Sequence, residues 1–171
     1  LNGNKFYGLD GQLVVWRNDD NDDGSITSND DDHVYLYQGM RRGGSQYYAL
    51  DVSDRSSPKL LWQINGGAIA GDTGDFRDLA QTWSTPQRGK VRWGCSNDSC
   101  NSKDVLFFGG GYDPMHDTLT EETTSPTTAN LGNAIYMVDA STGALLWSAG
   151  KGSHHHLNLS SMENSFPADI A

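Results

Sequence analysis

Apolar and polar positions alternate over short stretches, and clusters of Gly, Asp, Asn and Pro separate them. That is the pattern of half-buried strands joined by turns. Eight runs carry it: residues 5–16, 33–40, 46–52, 59–64, 82–93, 104–112, 133–140 and 144–149. Only residues 75–81 have the spacing of a short helical turn. Asp10-Gly11 and Thr142-Gly143 supply turn dipeptides. The chain is therefore expected to be all-β.

The eight runs form two sets of four. Residues 34–39 match 105–110 at an offset of 71, residues 48–51 match 136–139 at 88, and residues 60–62 match 145–147 at 85. Ser165-Phe166-Pro167 echoes Ser84-Thr85-Pro86. Four-stranded units in tandem predict part of a β-propeller. The stretch from Tyr136 to Trp147 resembles a quinoprotein-type blade, with Asp139 and Thr142-Gly143 making a hairpin. Trp62 and Trp147 are then expected between neighbouring blades. The predicted organisation is one propeller domain portion over 1–171. Residues 1–66 form one blade with a long loop at 19–30, 81–150 form a second, and 164–171 begin a third. Propellers use about 4–8 blades, and the chain starts at Leu1 with no leader-like segment, so a piece of a longer protein is expected.

Composition narrows the function classes. Of 171 residues 36% are hydrophobic, and no run of about 18 apolar residues exists to span a bilayer as a helix. The net charge of −10 argues against nucleic acid or an anionic membrane as partner. The acid comprises 19 Asp and only 3 Glu, a bias towards turns and metal loops.

Seven of those Asp lie between Asp19 and Asp32. One frame fits a calcium loop: Asp19, Asn21 and Asp23 as the first oxygen ligands, then Gly24 at the sharp turn. Ser25 offers a backbone carbonyl, Ile26 an apolar anchor, and Thr27 and Asp30 the later positions. The competing reading is a solvated acidic loop. Ca2+ is favoured over Mg2+, which seldom uses an all-protein cage.

Cys95 and Cys100 share one short polar turn, which suits a local disulfide and an oxidising compartment. A zinc pair would need two more ligands. His154, His155 and His156 are adjacent, and on an extended chain neighbours point to opposite sides, so a surface loop is expected rather than a metal site. Arg41 and Arg42 at a hairpin suit a carboxylate or phosphate, or a bridge to local Asp. Residues 118–130 form a polar loop. No nucleophile elbow or phosphate loop is present.

A set of motifs then resembles the PilY family of type IV pilus proteins. They are Tyr-Gly-Leu-Asp-Gly (7–11), Gly-Met-Arg-Arg-Gly-Gly (39–44), Tyr-Tyr-Ala-Leu-Asp-Val (47–52) and Pro-Lys-Leu-Leu-Trp (58–62). Gln-Thr-Trp-Ser-Thr-Pro (81–86), Phe-Gly-Gly-Gly-Tyr (108–112), residues 132–140 and residues 164–169 follow in the same order. The resemblance implies a slice of a C-terminal modified propeller in an exported, tip-associated adhesin and biogenesis factor. It implies minor pilins and a host or abiotic surface as partners. It also implies a calcium-loaded loop that opposes pilus retraction. Asp19, Asn21 and Asp23 match the family's first three ligand positions and Ser25 its backbone position, while Thr27 stands where the family has Asp. A non-enzymatic role at the cell surface is thus expected. The alternatives are a quinoprotein-type dehydrogenase and a purely structural or glycan-binding propeller.

Overall fold

The computed structural model describes residues 7–27, 32–67, 74–96, 99–118 and 131–171. Two sheets dominate. The first is a meander of β1 (Val14–Asn18), β2 (His33–Gly39), β3 (Gln46–Asp51) and β4 (Lys59–Asn65), all antiparallel. The second is β5 (Gln87–Ser96), β6 (Ser99–Gly109), β7 (Ala134–Asp139) and β8 (Leu145–Gly150), again antiparallel. The short β9 (Leu157–Asn158) adds to its edge in parallel.

The tandem repeat is visible in the pairing. Ala49 faces Trp62 and Leu50 faces Leu60, with a bulge between the two pairs. In the second sheet Met137 faces Trp147 and Val138 faces Leu145, with a bulge at the equivalent place. The second strands of the two units depart by one residue: Tyr35 faces Asp51, whereas Val105 faces Asp139, an offset of 70 rather than 71.

Three expectations change. Among the described residues of the run at 5–16 the strand begins at Val14, and Gly11 ahead of it donates its N–H to the Gly39 carbonyl. Residues 74–79 form successive turns rather than a helix, and short 3-10 helices lie instead at Arg41–Gly43 and Pro114–Thr118. The β5–β6 hairpin is longer than its apolar run, and the Cys95–Cys100 disulfide closes its tip. Most of the polar loop 118–130 lies outside the described residues.

One core joins the sheets. Trp16, Tyr37, Tyr47, Ala49, Trp62 and Ile64 from the first pack with Leu106, Phe108, Tyr136 and Val138 from the second. Trp62 lies against Gly143 in the β7–β8 turn. A Cβ there would sit 2.8 Å from the indole, and Gly143 also holds φ +71°. The Trp62 indole N–H and the Tyr37 hydroxyl both donate to the Ala140 carbonyl, at 3.0 Å each. Tyr47 packs its ring at a tilt against Phe108 and donates to the Ser84 carbonyl. Arg88 of β5 covers the Trp16 ring. Burial pushes both the Tyr37 and Tyr47 hydroxyls above the usual tyrosine range. Trp147 is only half-buried, and no third sheet lies against it among the described residues.

The buried connector 79–84 is stitched to both sheets. Thr82 donates its N–H to Gly44 and its hydroxyl to Gln46 in the first unit. Ala80 donates to Gly110, and the Ser84 hydroxyl accepts from Gly109, in the second. The stretch around Phe166 docks on the second sheet in the same manner, as Gly111 donates to the Phe166 carbonyl.

Asp139 organises the β7–β8 turn. Burial alone would raise its carboxyl, but Lys103 at 2.6 Å and the N–H groups of Ser141 and Thr142 hold it below the usual range. A depressed carboxyl stabilises the fold above its unfolded value of 3.8, and that contribution vanishes as pH falls through the lower folded value. Asp139→Asn is expected to cost about 1–2 kcal/mol at pH 7. Denaturant titrations from pH 7 to 2 should show the gap to wild type closing in acid. A gap independent of pH would refute the assignment.

Candidate functional site

Three features outside the core carry chemistry, and each sits on a connection between strands. The first is the acidic β1–β2 loop. Its shape comes from short side chains accepting amides of their own loop. Asp19 accepts from Asp23 at 3.1 Å and from Gly24 at 3.0 Å. Asn21 accepts from Asp23 at 3.0 Å, and Asp23 accepts from Ser25 at 2.7 Å. Asp22 and Gly24 adopt φ +55° and +85°, which bends the chain around these oxygens. The loop thus ties Asp19, Asn21 and Asp23 to one another through shared amides, and Ser25 joins them through its N–H. Arg17 reaches the same place, donating to Asp19 at 2.9 Å and to the Gly24 carbonyl at 3.1 Å. Thr27 is tied through its N–H to Asp32, and Asp30 lies outside the described residues.

Asp32 escaped the sequence reading as a site residue. It is 5% exposed, and its two oxygens accept from Asp20 at 2.7 Å and Thr27 at 3.0 Å, closing the loop's base. The Thr27 and Asp20 amides hold its carboxyl below the usual range. The one hint in the sequence was its place beside the first residue of a strand.

The second feature joins residues far apart in sequence. Asp78 Oδ2 lies 2.5 Å from His154 Nε2 and 2.9 Å from His155 Nε2. One donor atom from each residue falls within 4.8 Å of the others, so these three could hold a metal ion. Sequence reasoning placed the histidines on an extended surface loop facing opposite ways. Residues 151–156 instead form bends and turns, which direct His154 and His155 to one carboxylate. His155 is 6% exposed, and its Nδ1 lies 3.1 Å from the Ser148 hydroxyl. Burial holds its imidazole below the usual range, although Asp78 opposes this. His156 is exposed and turns only towards Ser148, at 3.4 Å.

The third is a cleft of about 490 Å³ lined by Tyr7, Arg42, Gln81, Trp83, Tyr112 and Asp117. Arg41 and Arg42 both cover the Trp83 ring, at 4.4 and 5.4 Å. Stacking on an aromatic face thus engages the arginine pair where a bridge to local Asp was one expectation. Tyr112 donates to Asp117 at 2.5 Å, which raises its hydroxyl.

The loop geometry predicts that Asp32→Ala frees the amides of Asp20 and Thr27. Hydrogen exchange should accelerate at both while β3 amides keep their protection. Unchanged exchange at Asp20 and Thr27 would contradict the role given to Asp32.

No family model matches the chain. Over 113 residues, 66% of its length, it is 26% identical to the type IV pilus biogenesis factor PilY1 of Pseudomonas aeruginosa strain PAO1, and equally to that of strain PAK. The match spans 7% of those relatives' length. Its fold is similar to the crystal structure of the P. aeruginosa PilY1 C-terminal domain, with a TM-score of 0.50 and 22% identity. That likeness covers 88% of this chain and 23% of the other. No helix among the described residues is long and apolar enough to cross a membrane. A sequence relative and a fold relative of the same kind together support a fragment of the PilY family.

Proposed function

We propose that the chain is a calcium-binding portion of a β-propeller in a type IV pilus-related protein. It acts in surface adhesion and in control of pilus assembly and retraction, and it is not an enzyme. Residues 1–66 and 81–150 are two blades of that propeller, and 164–171 open the next. The observation that carries this reading is the joint likeness, in sequence and in fold, to PilY1. The loop geometry supports the ion: the oxygens of Asp19, Asn21 and Asp23 already converge on amides of their own loop. Ca2+ would be held by Asp19, Asn21, Asp23, the Ser25 carbonyl, and Thr27 or Asp30. It would neutralise clustered carboxylates that otherwise repel one another, and so fix the β1–β2 connection. The protein works at the pilus tip, outside the cell, beside minor pilins and against a surface ligand.

The cleft beside Trp83 favours a second reading. Aromatic faces flanked by Arg42, Gln81 and Asp117 suit a glycan or another small polar ligand, with calcium serving stability only.

Calorimetric titration with Ca2+ tests the first reading. One-site binding is expected for the wild type, weakened by about tenfold or more in Asp23→Ala. Equal affinity in the two proteins would remove the loop as the ion site.

A further inference from the structure

We propose that Asp78, His154 and His155 form a second, separate site, for a first-row divalent transition metal of the zinc class. The ion clamps the turn after β8 onto the segment that precedes the connector 79–84. This inference rests on the three side chains alone and does not depend on the pilus or calcium reading.

The donor set decides the metal class. Two imidazoles and one carboxylate suit zinc, copper, nickel or iron, whereas calcium and magnesium take oxygen ligands. Both imidazoles approach Asp78 through Nε2, so the three donors face one point. Tetrahedral zinc with bonds near 2.1 Å sets its ligand atoms about 3.4 Å apart. The observed 2.5 and 2.9 Å separations need only a small retreat of the rings to admit an ion.

The surroundings are built for this. His155 Nδ1 faces the buried Ser148 hydroxyl at 3.1 Å, so a proton on Nδ1 leaves Nε2 as the free ligand atom. Ser148 thereby acts as a positioning residue. Two glycines clear the rings: a Cβ on Gly150 would lie 2.4 Å from His155 Nε2, and one on Gly152 would lie 2.6 Å from His154 Cε1. The Asp78 segment is itself anchored, since its carbonyl accepts from Gly132 at 2.6 Å. The side chains of His154 and Asp78 keep 28% and 16% exposure, which leaves an entry path and room for water as the fourth ligand.

The test uses the chain with saturating Ca2+ present, so that the acidic loop is satisfied. Zn2+ is titrated by calorimetry, and Co2+ is followed by its visible absorption. The expected result is one Zn2+ per chain, an intense tetrahedral Co2+ band and a rise in melting temperature. His154→Ala and Asp78→Asn should each weaken Zn2+ binding by about tenfold or more and abolish the band. His156→Ala should retain both, which separates the site from simple capture by a histidine run. Because the His154 side chain reaches the surface, its variant is expected to fold, which near-UV circular dichroism checks. Absence of Zn2+ binding in the wild type would overturn the proposal. So would binding that survives His154→Ala and Asp78→Asn, or that is lost equally in His156→Ala. None of these outcomes bears on the calcium titration, so the two proposals fail separately.

Discussion

The carbonyl of Ala140 takes two hydrogen bonds from the opposite sheet, one from the Tyr37 hydroxyl and one from the Trp62 indole. Both lone pairs of one peptide oxygen are thus committed across the interface. Each donor is a buried polar group that would cost about 1–3 kcal/mol if left unmade. The two rings stack on each other with centroids 5.8 Å apart, so neither can leave without disturbing its partner. This contact is also chemically directional. Leucines would bury comparable area but would not fix the angle or height at which one sheet meets the next.

The loops inherit their positions from that junction. Ala140 follows Asp139, whose carboxylate sets the β7–β8 turn that offers Gly143 to the face of Trp62. The connector 79–84 then runs between the sheets, with its polar groups committed on both sides. Asp78 immediately precedes it, and its own Gln81 and Trp83 line the cleft. A histidine pair and a carboxylate 76 and 77 residues apart can meet within hydrogen-bond range only because both are held by this one body. The acidic β1–β2 loop is more local. Its shape follows from Asx-type turns within the loop and from Asp32 at its base.

Much of the fold was legible in the sequence, because strand alternation and tandem matches are local patterns. The bulges at Ala49/Leu50 and Met137/Val138 fall one repeat apart, as the matched stretches imply. The start of β1 and the extent of the β5–β6 hairpin were not legible, since neither follows the apolar alternation: β1 begins at Val14, and the hairpin runs through polar residues to the disulfide that its two cysteines did announce. The frame of Asp19, Asn21 and Asp23 was readable because calcium-loop spacing is sequential. The role of Asp32 was hidden because burial, not spacing, gives it its partners. The convergence of His154 and His155 on Asp78 was not legible, for a physical reason. The rule that neighbours diverge holds for extended chain, and this segment turns.

Native-state hydrogen exchange on the chain, followed across a denaturant series, tests the shared core most directly. If the Ala140 junction makes the two sheets one cooperative unit, the slowest amides of β3 and β7 should converge on a single opening free energy. If β2 and β3 instead exchange through their own, lower-energy opening while β7 stays protected, the sheets are separate units and the account of the junction is wrong.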